Sequence, residues 1–254
     1  MGRVSSKAKI GAGCDIAETA IIHDNVELGE GVRVGEFCIL GHPARGDAAG
    51  VPLRIGQGSH IRSHTTMYEG SAFGPRLIVG HGCMIRKGIT AGINLQIGSM
   101  NDLEGDASFG DWVRFHSNVH ICRGTVLGDL VWIFPYVVTT NDPAPPSGLQ
   151  LGPKLEHGSV VCTQSIVLPG TTMGIGAFAG AMTRVGGAVP AGALVVGNPA
   201  KQVGSVRRIK YAPKGYNHPW MSHHAWYYPE DAHARIAELG AQVEAACDAL
   251  EAST

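Results

Sequence analysis

The sequence predicts an all-β chain in which short parallel strands stack as the coils of a prism. Two observations predict this fold: an apolar residue recurs at every sixth position, and glycine makes up 36 of the 254 residues. A period of six fits neither an amphipathic helix, which repeats every ~3.6 residues, nor a simple alternating strand. It fits short strands joined by tight turns, where glycine relieves steric crowding.

The repeat runs in three stretches separated by two breaks. It begins at Ile10, is interrupted over residues 42–54 and 141–154, and ends at Val185. Of its 27 positions only Thr139 is not apolar, and 14 of the 27 are followed directly by glycine. Three hexads form one coil and coils stack about 4.8 Å apart, so the repeat predicts about nine coils. We expect the two breaks to form external loops.

The same register predicts which side chains point inward. Phe109, Phe115 and Ile133 fall on repeat positions and should lie in the core. The fourth residue after many repeat positions is small or β-branched, as at Ser59 and Thr65.

Charge and cysteine content exclude several classes of protein. The net charge is −1 and charged residues make up 16% of the chain, which disfavours a basic nucleic-acid-binding protein. No apolar run reaches the ~18 residues of a membrane span, and the first residues lack the apolar core of a signal peptide. The six cysteines include no CxxC pair, so we expect a reduced, cytoplasmic protein without a metal.

The pattern changes after Val203. Residues 205–228 form a connector rich in Trp and Tyr, and Pro229 occupies a position typical of the first turn of a helix. An apolar stripe at helical spacing follows, formed by Ile236, Leu239, Val243, Ala246 and Leu250. The sequence thus predicts a repeat domain over 1–204, and over 205–254 a connector and helix that packs against the prism or a neighbouring chain.

The repeat over residues 10–205 resembles that of hexapeptide-repeat acyltransferases, whose pattern is [LIV]-[GAED]-x-x-[STAV]-x. Four segments resemble the subgroup that acylates amino sugars of nucleotide-linked precursors: GHPARGDAAGVPLRIG (41–56), FHSNVHI (115–121), TNDPAPPS (140–147) and VVGNPAKQVG (195–204). The resemblance implies a left-handed parallel β-helix, and the handedness comes from the family alone. It also implies an enzyme that transfers an acyl group, expected to be acetyl, from acyl-CoA to the amino group of a nucleoside-diphosphate sugar. A column of stacked glycines, Gly56, Gly74, Gly92, Gly110 and Gly128, and the aromatic connector suggest close contact between chains, so we expect a homotrimer.

One column of stacked residues indicates a pocket. Gly80, Gly98 and His116 follow repeat positions in successive coils, so the His116 imidazole should project beside open space. Acyl transfer to an amine requires a base, and imidazole suits that role near neutral pH. The resemblance implies a catalytic histidine on the prism wall at a subunit boundary, and this role is assigned to His116.

Substrate contacts are expected near this histidine and in the second break. Asn118, together with the backbone N–H groups of 116–118, can hold the acyl oxygen or the sugar, and His120 is a substrate contact and the second candidate base. The resemblance makes Asn141 and Asp142 substrate contacts, while simple turn capping remains the alternative. In the first break, the charged residues that can reach substrate phosphates are Arg45, Asp47 and Arg54.

The resemblance also implies where CoA binds. The pantetheine arm is expected along the Gly- and Ala-rich stretch 174–192, at Gly180 and Ala181. The cations expected to bind the nucleotide phosphates are Arg184, Lys201, Arg207 and Arg208. For Arg207 and Arg208, a solvated pair is an equal alternative.

Three other functions remain open for this fold. One is a fatty acyltransferase of lipid A type that uses an acyl carrier protein, and another is a non-catalytic scaffold. The third is a zinc carbonic anhydrase, but His116 and His120 are four residues apart and His81 stacks towards Ser117 rather than His116, so the ligand spacing is wrong.

Overall fold

The computed structural model describes residues 3–44, 50–211 and 215–253. The chain comprises two compact units, Met1–Val126 and Leu127–Thr254. Both are built from coils of a parallel β-helix, and the coils number about 10. The sequence repeat predicted about nine coils, because two strands lie outside it: Arg3–Val4 precedes the first repeat position and Ala193–Val196 follows the last. The domain division after residue 204 stays a prediction.

Each coil of the N-terminal unit contributes one strand to each of three sheets, named A, B and C by position in the coil. Sheet A contains Arg3–Val4, Ile21–Ile22, Ile39–His42, Thr66–Tyr68, Met84–Ile85, Asp102–Leu103 and His120–Ile121. Sheet B contains Lys9–Ile10, Val26–Leu28, Leu53–Ile55, Ala72–Phe73, Ile89–Ala91 and Ala107–Phe109. Sheet C contains Asp15–Ile16, Arg33–Val34, His60–Ile61, Ile78–Val79, Gln96–Ile97 and Arg114–Phe115. The strand Val126–Leu127 spans the boundary between the units.

The repeat residues fill the interior of the coils. Phe109, Phe115 and Ile133 are at most 4% exposed, which confirms the predicted inward register. Phe109 and Phe115 meet edge to face, with ring centroids 5.3 Å apart. Ile10 is exposed and Ile16 half-buried, because their strands have a described neighbouring strand on one side only.

Small polar residues stabilise the corners between strands. The buried Ser59 hydroxyl donates to the Gly56 carbonyl at 2.6 Å and accepts from the Leu77 N–H at 3.1 Å. The buried Thr65 hydroxyl likewise donates to the Gly80 carbonyl at 3.0 Å and accepts from the Cys83 N–H at 3.2 Å. These bonds explain why the fourth position after a repeat residue is small: the side chain bridges two coils inside a narrow corner.

The column of glycines that follows the sheet B strands is explained by contact between coils of one chain. A Cβ on Gly74 would lie 2.6 Å from the carbonyl oxygen of Gly92, the equivalent residue of the next coil. A Cβ on Gly56 would likewise approach the backbone of Gly74. Glycine is therefore required here by coil stacking, and the column does not indicate a neighbouring chain.

The C-terminal unit has the same coil, named in the same way. Its sheet A strands are Val138–Thr139, Ile166–Val167 and Arg184–Val185, and its sheet B strands are Lys154–Leu155, Thr172–Met173 and Ala188–Val189. Its sheet C strands are Trp132–Ile133, Val160–Val161, Phe178–Ala179 and Ala193–Val196, and the antiparallel strand Lys201–Ser205 follows. The second break forms an external loop, since residues 143–150 are exposed.

The connector packs on its own unit. It contains a 3-10 turn Val206–Arg208, the paired strands Lys210–Tyr211 and Tyr216–Asn217, a short helix Met221–His224 and 3-10 turns Ala225–Tyr227 and Glu230–Ala232. Its rings cover the outer face of sheet C: His218 meets Phe178 edge to face at 5.2 Å, and Tyr227 stacks on Trp132 at 5.8 Å. Burial lowers the pKa of His218 to about 4, so this ring is neutral near pH 7.

The C-terminal helix, His233–Ala252, docks into a groove of glycines at one corner of its unit. A Cβ on Gly158 would lie 2.6 Å from Leu239 Cδ2, and one on Gly192 would lie 3.0 Å from Cys247 Sγ. The buried stripe is Ile236, Leu239, Val243 and Cys247, so Cys247 takes the place predicted for Ala246. No helix among the described residues is both long and apolar enough to cross a bilayer.

Adding one methyl group to the glycine column should test coil stacking. Gly74→Ala should lower the free energy of unfolding by about 1–3 kcal/mol, because the new Cβ meets rigid backbone. Gly186→Ala is the control, since its Cβ would meet only the movable Leu168 Cδ1, at 3.0 Å. Urea unfolding monitored by circular dichroism measures both, and equal stability of the two variants would contradict this account.

Candidate functional site

The predicted column through His116 exists in the N-terminal unit. A Cβ on Gly98 would lie 2.6 Å from the His116 carbonyl carbon, so the two residues stack in adjacent coils. His116 follows the strand Arg114–Phe115 at the corner between sheets C and A, and its side chain is exposed. In the neighbouring column, the backbone N–H of His81 donates to Ser99 Oγ, 18 residues further along the chain, at 3.1 Å. This spacing is the length of one coil.

The His116 ring is oriented by its own backbone. The Ser117 N–H donates to His116 Nδ1 at 2.8 Å, so Nδ1 carries the lone pair and the neutral ring carries its proton on Nε2. In this arrangement Nε2 is a hydrogen-bond donor. To accept a proton, His116 must first give up the bond to Ser117.

Asn118 occupies the left-handed turn position of its corner. Its φ is 58°, and its N–H donates to the Ser99 carbonyl at 3.0 Å. His64 and Met100 take the same position in earlier coils, with φ of 62° and 60°. The amides of residues 117 and 118 therefore bond within the chain, and the exposed Asn118 side chain projects from this turn.

His120 lies on the outer face of sheet A, opposite Asp102 of the preceding coil. His120 Nδ1 is 3.3 Å from Asp102 Oδ2, and Nε2 is 3.7 Å from Glu104 Oε1. Asp102, the nearer carboxylate, favours the tautomer with its proton on Nδ1, in which Nε2 can act as a base. Glu104, beside Nε2, favours the opposite tautomer.

A cationic cleft of about 600 Å³ lies in the same unit. Its lining residues are His42, Pro43, Ala44, Tyr68, Arg86, Lys87 and Arg123. Arg86 connects the cleft to the histidine, because its Nη1 is 3.3 Å from Asp102 Oδ1. Sequence reasoning missed this cleft, although Tyr68, Arg86 and Glu104 fall in one column of equivalent positions.

The described ends of the first break are anchored by a buried carboxylate, that of Glu69. Glu69 accepts hydrogen bonds from Asn25 Nδ2 at 2.7 Å and from the N–H groups of Ala44 and Gly50 at 3.0 and 3.2 Å. Burial raises the pKa of Glu69, but these bonds outweigh it and hold the pKa below its usual range. Arg54 Nε is 2.9 Å from Glu27 Oε2.

The other predicted contacts of this loop, Arg45 and Asp47, lie outside the described residues.

In the C-terminal unit, Asp142 organises the loop of the second break. Its carboxylate accepts from the N–H groups of Ala144 and Ser147 at 3.0 and 2.9 Å and from the Ser147 hydroxyl. The bonds from Ser147 lower the pKa of Asp142. The Asn141 carbonyl closes the loop by accepting from the Leu151 N–H at 2.7 Å. Both residues thus have the turn role that the sequence left open beside substrate binding.

In the C-terminal unit, the backbone of Arg184 is hydrogen-bonded to the hairpin turn that precedes Lys201. The Arg184 N–H donates to Gly197 O, and Arg184 O accepts from the Ala200 N–H, both at 3.0 Å. Lys201 begins the strand that pairs with Val196. Both cations are exposed. Gly180 lies at the adjoining corner, where a Cβ would be 2.9 Å from Val196 Cγ1, and Ala181 beside it is exposed.

Arg207 anchors the C-terminal helix instead of pointing to a ligand. Its guanidinium contacts Glu244 and Asp248 at 2.5 and 2.7 Å and Glu251 at 3.2 Å. Arg208 donates to the Val203 carbonyl. Three carboxylates surround Arg207, so its contacts account for it without a ligand, and phosphate binding by Arg207 stays a prediction.

Two solved structures share the architecture along almost the whole chain. UDP-N-acetylglucosamine acyltransferase from Bacteroides fragilis superposes with a TM-score of 0.54 over 97% of this chain and 94% of its own, at 15% identity. The Arabidopsis UDP-N-acetylglucosamine acyltransferase does so with a TM-score of 0.50 over 96% and 93%, at 14% identity. The chain has their fold. The prediction of a left-handed parallel β-helix is thereby confirmed.

Sequence comparison does not assign the chain to a family. No protein-family model matches the chain, and no curated protein matches it.

Proposed function

We propose that this protein is an acyltransferase that moves an acyl group, most simply acetyl, from acyl-CoA to the amino group of a sugar attached to a nucleoside diphosphate. The observation that carries the proposal is the His120–Asp102 pair beside a cationic cleft. The pair lies on a β-helix whose fold is shared, along almost the whole chain, by two solved acyltransferases of a nucleotide-linked sugar. A base next to an anion-binding surface is the pairing that such an acceptor requires.

The proposed reaction needs one proton to move. The amine lone pair attacks the thioester carbonyl carbon, the C–N bond forms, and the C–S bond breaks to release the thiolate of CoA. His120 Nε2 takes the proton that the amine loses and returns it to the thiolate, while Asp102 stabilises the imidazolium. His116, with its proton on Nε2, can donate to the developing oxyanion, and Asn118 can orient the sugar.

The donor is proposed to bind in the C-terminal unit. Arg184 and Lys201 supply positive charge for the phosphates of CoA, and Gly180 and Ala181 offer a surface without large side chains for its pantetheine arm. Asn141 and Asp142 are retained as acceptor contacts through the loop that they shape. The six cysteines are free thiols, which suits the proposed cytoplasmic location.

Product formation tests the function directly. The enzyme should acylate members of a panel of nucleotide-linked amino sugars with acetyl-CoA, with release of free thiol as the readout. A second candidate is the reaction with an acyl carrier protein that the sequence left open, with UDP-N-acetylglucosamine, for which the two superposed proteins are named, as the acceptor. Turnover only with acyl carrier protein would favour that candidate, and no turnover with either donor would refute the acyltransferase proposal.

Variants of the two histidines should identify the base. His120→Ala and His120→Asn should lower kcat by about 10²–10⁴, the span of general acid–base catalysis. Asp102→Asn should lower kcat as well, because it removes the carboxylate that sets the tautomer. His116→Ala should change kcat less. Activity of this variant should still fall at low pH, as expected when the base is a histidine that becomes protonated.

The opposite pattern would return the base role to His116, as the sequence suggested. In that case His116→Ala and His116→Asn would carry the 10²–10⁴ loss and abolish the low-pH limb, and His120→Ala would keep most of the activity. The acyltransferase proposal stands in both cases.

Lys201→Ala should weaken CoA binding measured by calorimetry. A charge-assisted bond to phosphate is worth about 1.5–3 kcal/mol, which corresponds to a loss of roughly tenfold or more in affinity. Lys154→Ala, which removes another exposed lysine of the same unit, is the control. Equal CoA affinity of the Lys201→Ala and Lys154→Ala variants would remove Lys201 from the donor site.

The protein is proposed to be a homotrimer. The glycine column and the aromatic connector are accounted for within one chain, so the proposal rests on the family resemblance and on the preference of oligomers for cyclic symmetry. Light scattering should give about 80 kDa, three times the chain mass of 26.6 kDa. A monomer that persists at micromolar concentration would contradict it.

A further inference from the structure

The cationic cleft of the N-terminal unit has no role in the proposed proton transfer. Three of its lining side chains carry positive charge: Arg86, Lys87 and Arg123. Tyr68 adds a phenolic hydroxyl and His42 an imidazole, whose ring centroids are 4.7 Å apart. None of the described residues that line it is Asp or Glu. A cleft with this lining is suited to an anion that accepts several hydrogen bonds.

Carboxylates outside the cleft hold its two guanidinium groups. Arg86 Nη1 lies 3.3 Å from Asp102 Oδ1, and Arg123 Nε lies 3.7 Å from Asp106 Oδ2. A guanidinium has five N–H donors, so the ion pair on one edge of Arg86 orients that group and leaves other donors of Arg86 for a ligand. Lys87 forms no ion pair with any described carboxylate.

The coil spacing sets the distance between the cations. Arg86 and Lys87 follow the strand Met84–Ile85, whereas Arg123 follows His120–Ile121, two coils further along sheet A. At about 4.8 Å per coil their backbones are roughly 10 Å apart. Long side chains from both ends of this interval can converge on one anionic group, and a diphosphate offers separate phosphates to the two ends.

We propose that this cleft binds the diphosphate of the nucleotide-linked acceptor, an inference that rests on the proposed function. Arg86 touches both the cleft and Asp102, the partner of His120. A diphosphate held by Arg86, Lys87 and Arg123 therefore leaves the attached sugar next to the His120 imidazole. The same cations fix the acceptor and set the distance of its amine from the base.

Binding without turnover tests the proposal. UDP and inorganic pyrophosphate are titrated into the full chain by calorimetry with no acyl donor present. Lys87→Ala should weaken both by about ten- to a hundredfold, because one charge-assisted contact is lost. Both affinities should also fall as salt is raised. Arg33→Ala, which removes an exposed cation of the same unit outside the cleft, should bind as the unaltered protein does.

The outcomes separate this site from the proposed function. CoA carries a diphosphate too, so it is titrated in parallel: weaker CoA binding with unchanged UDP binding in Lys87→Ala would overturn the acceptor assignment. Unchanged affinity for UDP and pyrophosphate, or no binding to the unaltered protein, would overturn the site. Lost UDP binding in Lys87→Ala without acyl transfer by any donor would keep the site and refute the acyltransferase proposal.

Discussion

The stacking of each coil on the next through backbone hydrogen bonds is the constraint on which this structure depends. Gly56 N–H donates to Phe73 O, Gly74 N–H to Ala91 O and Gly92 N–H to Phe109 O, all between 2.9 and 3.0 Å. Strands of two or three residues have no other partners for their polar groups, and leaving those groups buried and unpaired would be costly. The register between coils is therefore fixed, and it sets the position of every outward side chain.

A fixed register arranges outward side chains in columns at the spacing of coils. Glu27 contacts Lys9 of the preceding coil at 2.8 Å and Arg54 of the following coil at 2.9 Å. The same rule brings Asp102 between Arg86 and His120. The proposed catalytic pair, His120 and Asp102, and the ion pairs of Glu27 thus arise from the same stacking, and only the proposed pair lies beside the cationic cleft.

The two candidate histidines differ because one lies at a corner and the other on a strand. At the corner the backbone turns, and the Ser117 amide reaches His116 Nδ1. On the strand the amides are used between coils, so the ring of His120 meets the side chain of the adjacent coil instead. Two histidines four residues apart in one motif therefore have different partners at Nδ1, a backbone N–H at His116 and the Asp102 carboxylate at His120.

The sequence by itself determined the coil, its inward residues such as Phe109 and Phe115, both breaks and the C-terminal helix, because a six-residue period has few other physical solutions. It also placed His116 above Gly98. It did not reveal that Asp102 faces His120, that Glu69 holds the first loop, or that three carboxylates surround Arg207. Those contacts join side chains whose directions are set by corners, loops and helix docking, and only the tertiary structure decides such directions.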